Sequence, residues 1–163
     1  GSTKMDWEVE LAVIIGKGGT GISREQALEH VFGYSVINDV SARDIQKRHK
    51  QFFVGKSFTG ACPMGPWIVT ADEIPNPQNL NLKSRVNNKL KQDSNTKNQI
   101  FDVASVIETL SQGMMLEPGD IIATGTPSGV GYVRNPPEYL MPGDVVECEV
   151  ESIGVIRNPI VEI

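Results

Sequence analysis

The feature that most constrains this chain is a period of two near its start. Trp7, Val9, Leu11, Val13 and Ile15 share one parity, and Glu8, Glu10, Ala12 and Ile14 share the other. Successive side chains of a strand point to opposite faces, so the pattern predicts a strand over 7–15. A face of large apolar residues must be covered by the rest of the fold. The opposite face opens with two glutamates and then turns apolar. Carboxylates two apart on a strand share that face, with Cα atoms roughly 6.5–7 Å apart. They repel each other, and strands disfavour glutamate. A sheet with one wet face accounts for Glu8 and Glu10, but not for Ala12 and Ile14 beside them. A Glu-x-Glu pair on a face that becomes apolar points to a partly buried cation.

The 163 residues suffice for one domain with a real core, and hydrophobic residues at 39% leave room for one. A glycine-rich turn follows over 16–21. Ser23 and Gln26 have the spacing of a capping box, which predicts a helix over 24–31 closed by Gly33. A second strand is expected over 34–41 and a short helical turn over 42–48. Further strands are expected over 66–70, 81–86, 89–92, 120–124, 145–150 and 155–163. Asn87-Asn88 suits a tight hairpin turn. Asp102 can cap a helix running to Gln112 and closed by Gly113. The proline-rich stretch 132–143 reads as irregular. The expected class is α+β, with many strands, two main helices and no βαβ rhythm.

Charge narrows the partners. The net charge is -5 and the only basic run is the short Lys47-Arg48-His49-Lys50, so nucleic acid is not an expected partner. No apolar run is long enough to cross a bilayer, so no membrane partner is expected. Cys62 and Cys148 form no C-x-x-C or Cys/His metal spacing and read as reduced thiols of a cytoplasmic protein.

Asp39 adds a third acid. It lies in Asn38-Asp39-Val40-Ser41 at the end of the second expected strand. Three carboxylates with open positions suit Mg2+ or Mn2+, hard cations that prefer oxygen. Zn2+ more often draws histidine or cysteine.

These residues fall into a known order. Asp6 to Lys17 resembles the strand of the fumarylacetoacetate hydrolase family that carries two metal-binding glutamates. Gly33-Tyr34 with Asn38 to Gln46 resembles the segment holding the third ligand. Gly55-Lys56-Ser57-Phe58, Met64-Gly65-Pro66-Trp67, Gln92, Asn95-Thr96, Ile100-Phe101, Leu116 to Asp120 and Thr124 to Gly131 continue the series in order. The resemblance implies that Glu8, Glu10 and Asp39 hold the metal and that Lys56 sits beside it as the catalytic group. It implies that Arg43 and Gln46 face the substrate and that the Thr126 hydroxyl contacts the substrate carboxylate. It also implies a mixed-strand roll or barrel-like α+β domain, commonly dimeric, over 1–163, lacking an upstream segment. The implied activity is cleavage of a C–C bond in an acylpyruvate or related diketo acid. Decarboxylation or isomerisation of a similar 2-oxo acid is the alternative. The metal would chelate the 2-oxo acid and stabilise an enolate, and Arg43 could grip a carboxylate with two hydrogen bonds.

Departures and rivals follow from the same residues. Hydrolysis needs a base to activate water, and the only histidines are His30, expected to be structural, and His49, in a stretch that could approach the site. Gly60 stands where some members have a hydroxyl residue. Gly16-Lys17-Gly18-Gly19-Thr20-Gly21 satisfies G-x-G-x-x-G after a strand, and Asp39 lies where a ribose-binding acid would, so a nucleotide site is a remote alternative. Against it, the first strand of such a fold is buried on both faces, where Glu8 and Glu10 would be costly. A non-catalytic module of the same fold is a third reading, opposed by the concentration of charge at one place.

Overall fold

The alternating segment becomes the middle of a sheet. The computed structural model of the chain describes residues 1–162. In chain order its elements are β1 (Met5–Asp6), β2 (Val9–Ile15), β3 (Val31–Asn38), β4 (Ser41–Ala42), α1 (Arg43–His49), α2 (Phe53–Lys56), β5 (Met64–Thr70), β6 (Asn81–Val86), β7 (Lys89–Asn95), α3 (Val103–Gly113), β8 (Ile121–Ala123), β9 (Val145–Val150) and β10 (Gly154–Pro159). One four-stranded sheet has the order β5-β3-β2-β8, another β10-β9-β6-β7, and β1 pairs with β4. Every pairing is antiparallel. The α+β class is the expected one.

The core lies where the two sheets face each other. Val9, Leu11 and Val13 of β2, with Val36 of β3, meet Leu82 and Val86 of β6 and Val146, Cys148 and Val150 of β9. Val103 and Ile107 of α3 extend it. Each such side chain contributes about 1.5–3 kcal/mol on burial, so the odd-numbered face of β2 anchors the fold. The even-numbered face is buried too, along the whole strand. Among the described residues, no helix is long and apolar enough to cross a membrane.

Local signals held where short-range chemistry decides. β6 and β9 occupy the expected ranges. Asn87 and Asn88 both take positive φ, 50° and 63°, as a type I′ turn requires. The Asp102 carboxylate accepts from the Ser105 N–H at 2.8 Å and caps α3, which ends at Gly113. Residues 132–143 hold the end of one 3-10 turn and no strand.

The helix expected over 24–31 is corrected. Only a 3-10 turn forms, at Ala27–His30, and Ser23 and Gln26 make no capping box. Val31 instead begins β3, paired across from Ile15. Strand pairing over eight residues outweighs the propensity of a short helix. Gly33 therefore closes no helix. It lies in β3, where a Cβ would come within 2.3 Å of the Val69 carbonyl oxygen of β5. The strand expected over 34–41 starts earlier and breaks at Asp39.

The nucleotide alternative is also corrected. β3 runs antiparallel to β2, whereas a dinucleotide fold needs a parallel βαβ unit. The glycine-rich turn is held down by Gly19, which exchanges backbone hydrogen bonds with Leu116 at 2.9 and 3.0 Å. The premise raised against that alternative fails, however, because β2 is buried on both faces. The cost of burying Glu8 is offset by cations that come from distant segments.

Candidate metal centre

Register brings the acids together. Val9 pairs with Asn38, so the end of β3 lies beside the start of β2. Asn38 turns its Oδ1 to the Glu8 N–H at 2.9 Å, and the Asp39 N–H donates to the Glu8 carbonyl at 2.9 Å. These two bonds place the Asp39 side chain against that of Glu8, although 30 residues separate them. On the other side, β8 pairs with β2 from Ala12 to Ile14. The chain beyond β8 then continues along β2. The Thr124 hydroxyl donates to the Leu11 carbonyl at 2.8 Å, the Gly125 N–H to Glu10 Oε2 at 2.7 Å, and the Thr126 hydroxyl to the Val9 carbonyl at 2.9 Å.

One carboxylate oxygen each from Glu8, Glu10 and Asp39 lies within 4.8 Å of the others. Glu8 is 7% exposed and Glu10 3%, so water does little to screen them. Lys56, at the end of α2, donates to Glu8 Oε2 at 2.7 Å and to Asp39. Arg43, at the start of α1, donates through Nη2 to Glu8 Oε1 at 2.6 Å and through Nε to Asp6 at 2.9 Å. Its guanidinium lies 4.6 Å from the centre of the Tyr132 ring. Four carboxylates, with Asp6 included, thus meet two cations. The two negative charges left over are what a divalent ion would balance. All three groups are carboxylates, the donor set that would suit a hard cation.

Electrostatics follow the geometry. Burial pushes the Glu10 carboxyl up to about 7; the Gly125 N–H opposes this, while Asp39 and Glu8 add to it. Burial disfavours the charged form of Lys56, but the Asp39 and Glu8 carboxylates outweigh it and raise its pKa. Lys56 is therefore an ammonium.

The cleft over these groups has a volume of about 670 Å3. Every expected site residue lines it: Glu8, Glu10, Asp39, Arg43, Gln46, Lys56 and Thr126. Lys4, Asp44, Lys47, Phe52, Tyr132 and Tyr139 also line it, with Ala123 and Gly125. Gln46 Oε1 accepts from Arg43 Nη1 at 3.3 Å. Of the five N–H groups of Arg43, three are committed to Asp6, Glu8 and Gln46, which leaves two for a ligand. His30 is buried away from this cleft, with Nδ1 2.7 Å from the Lys17 carbonyl oxygen, and serves structure. His49 ends α1, exposed, and does not line the cleft. A second hollow of about 460 Å3 lies beside β9 and β10. Its acids Glu149 and Glu151 are bound separately, to Arg85 and Asn81, and form no cluster.

Three contributors were not legible as site residues. Asp6 is fully buried and also accepts from the Gly131 N–H at 2.6 Å and the Tyr132 N–H at 3.0 Å. An isolated acid one place before Trp7 carries no such signal. Tyr132 comes from a stretch with no periodicity. Gln92 sits in a polar strand, and nothing local marks it as buried.

Comparison with known proteins gives one consistent result. The family model described as "Fumarylacetoacetate (FAA) hydrolase C-terminal" matches residues 1–161. The chain is 52% identical over 159 residues to oxaloacetate tautomerase YisK of Bacillus subtilis, covering 98% of this chain and 53% of that protein. It superposes on a fumarylacetoacetate hydrolase from psychrophilic Exiguobacterium antarcticum with a TM-score of 0.97 and 50% identity, covering 99% of this chain and 58% of that one. A fumarylpyruvate hydrolase from Pseudomonas aeruginosa, solved in complex with Mn2+ and pyruvate, matches with a TM-score of 0.90 and 32% identity, over 98% of this chain and 67% of that one. The chain spans about half the length of the curated relatives it matches.

Proposed function

The chain belongs to the fumarylacetoacetate hydrolase family, and on that premise we propose that it uses Mg2+ or Mn2+ to interconvert the keto and enol forms of a small 2-oxo diacid such as oxaloacetate. The observation that carries this reading is the trio Glu8, Glu10 and Asp39, within 4.8 Å of one another, in one cleft with Lys56. Those three carboxylates would hold the ion, which would supply Lewis-acid stabilisation of an enolate.

The chain's own residues do the rest. Lys56 keeps a proton at Nζ beside the place where enolate charge develops, and can hand it to that enolate. The Thr126 hydrogen is committed to the Val9 carbonyl, so the hydroxyl meets a ligand as an acceptor. That suits an enol O–H better than the carboxylate contact the resemblance implied. The two free N–H groups of Arg43 suit one carboxylate, and Lys4 and Lys47 at the wall suit a second.

Keto–enol interconversion needs an enolate site and a proton carrier, and this cleft has both. Hydrolysis of an acylpyruvate also needs a base for water, and neither histidine lines the cleft. Hydrolysis stands as a second reading, favoured by the likeness to the fumarylpyruvate hydrolase with Mn2+ and pyruvate. The enol absorbance of oxaloacetate, followed with and without Mn2+, tests the first. The expected acceleration over Mn2+ alone is at least about 100-fold, lost in Glu10→Gln. A rate equal to that of Mn2+ alone overturns the reading, and faster release of pyruvate from an acylpyruvate favours the second.

A further inference from the structure

β7 reads Lys-Leu-Lys-Gln-Asp-Ser-Asn, a strand with every mark of a wet surface. Its Gln92 is nevertheless 1% exposed. A buried amide must satisfy two donors and two lone pairs, or it costs stability. Gln92 satisfies all of them. Oε1 accepts from the Val9 N–H at 3.1 Å and from the Ser84 hydroxyl at 2.8 Å. Nε2 donates to Thr126 Oγ1 at 2.8 Å and to the Pro127 carbonyl at 2.9 Å. The amide cannot be turned over, because the Val9 N–H can only donate and the Pro127 carbonyl can only accept.

Two of these partners belong to the site. Val9 lies between Glu8 and Glu10, so its peptide sets the spacing of two of the three carboxylates. Thr126 lines the same cleft, on the loop that runs along β2. The loop that carries it rests on β7 at Gly129, where φ is +107° and a Cβ would come 2.3 Å from the Lys91 carbonyl oxygen and 3.1 Å from Gln92 Cγ. One amide on the second sheet thus holds both the strand and the adjoining loop of a site built on the first.

We propose that Gln92 is a positioning residue of the metal centre: it holds the Val9 peptide, and with it the spacing of Glu8 and Glu10, and clamps the Thr126 loop beside it. The proposal rests on the reading of Glu8, Glu10 and Asp39 as metal ligands. Removing a group that orients ligands typically lowers metal affinity by about 10–100-fold. The two halves of the amide can be separated. Gln92→Met keeps the volume and loses every bond. Gln92→Glu keeps the acceptors for Val9 and Ser84 and loses the donors, and it sets a carboxylate against the Pro127 carbonyl.

The test is Mn2+ affinity by EPR titration, beside the melting temperature, for the wild type and both variants. Gln92→Met is expected to bind Mn2+ at least about tenfold more weakly. Gln92→Glu is expected to melt lower than wild type, yet bind Mn2+ at least as well. Affinity and stability then part company, which a merely structural residue would not produce. Wild-type Mn2+ affinity in a folded Gln92→Met protein, or affinities that simply follow the melting temperatures, overturn the proposal. If the wild type binds no Mn2+, the metal reading fails, and amide hydrogen exchange still decides the positioning role. Exchange at Val9 is then expected to quicken at least about tenfold in Gln92→Met, with the other β2 amides unchanged. Unchanged exchange at Val9 overturns it.

Discussion

β2 and β9 carry the same short pattern and put it to opposite uses. β2 holds Glu8-x-Glu10 across its start, and β9 holds Glu147-x-Glu149. On β9 the glutamates point to solvent. Glu147 meets Arg157 at 3.3 Å and Glu149 meets Arg85 at 2.7 Å, each on a neighbouring strand and each half wet. On β2 the glutamates point into a cleft, share Asp39, and take Lys56 and Arg43 as counter-ions. The spacing is one and the chemistry differs, because what covers the second face differs. Continuation tells them apart in the sequence: Ala12 and Ile14 follow the first pair, and Glu151 follows the second.

The sharpest way to break this comparison is to neutralise one acid of each pair. Glu10→Gln is expected to weaken Mn2+ binding by at least about 100-fold, roughly 3 kcal/mol, because a chelating carboxylate is lost. Glu149→Gln should leave Mn2+ binding within twofold, about the scatter of the same EPR titration.

Acidity separates the pairs next. Glu10 has a folded pKa of about 7 against an ordinary 4.5. A raised folded pKa means its contribution to stability is intact below 4.5 and is lost as pH rises through about 7. The metal-free protein should therefore lose on the order of 3 kcal/mol between pH 4.5 and 8 from this group, and Glu10→Gln should remove that slope in urea denaturation. Mn2+ binding should strengthen with pH up to about 7 and level off above it, since the ion competes with that proton.

Cations provide a third contrast. Lys56→Met leaves Glu8 and Asp39 without their shared partner, which should cost the metal-free protein about 3 kcal/mol. Mn2+ should bind at least as tightly, since a competing positive charge is gone, while turnover falls about 100-fold. Arg85→Ala on the outer sheet is expected to cost less than about 1 kcal/mol, because its pair with Glu149 is open to water. A larger loss there would show that the two sheets handle charge more alike than their exposure suggests.

Much of the fold was legible because the deciding chemistry is local. The hairpin at Asn87-Asn88, the cap at Asp102 and the alternation of β2, β6 and β9 each depend on a few adjacent residues. The missed element, the helix expected over 24–31, failed where a local propensity met a long-range pairing, Val31 against Ile15. The site divides the same way. Glu8 and Glu10 were visible from spacing and from the apolar residues after them. Asp39 was visible as an isolated acid at the end of an expected strand, Lys56, Arg43, Gln46 and Thr126 were picked out by resemblance to the family, and the cleft contains them all. Asp6 and Gln92 lay within the family series with no role attached, and Tyr132 in a stretch read as irregular, since a polar residue in an irregular or polar stretch looks the same whether it is buried or wet.

Sequence alone determined that two carboxylates share a strand face, that this face turns apolar, and that an ordered series of motifs runs through the chain. It determined this because periodicity and spacing encode which way neighbouring side chains point. Only the tertiary structure decided that the face is sealed, that Asn38 stands opposite Val9 and so carries Asp39 to Glu8, and that the ends of two short helices supply Lys56 and Arg43. It also set the Gln92 amide against both β2 and the Thr126 loop. Those facts arise from pairing and packing between segments tens of residues apart, which no local pattern records. Burial by those segments is what sets an ordinary pair of glutamates against Asp39, Lys56 and Arg43 and pushes the Glu10 carboxyl up to about 7.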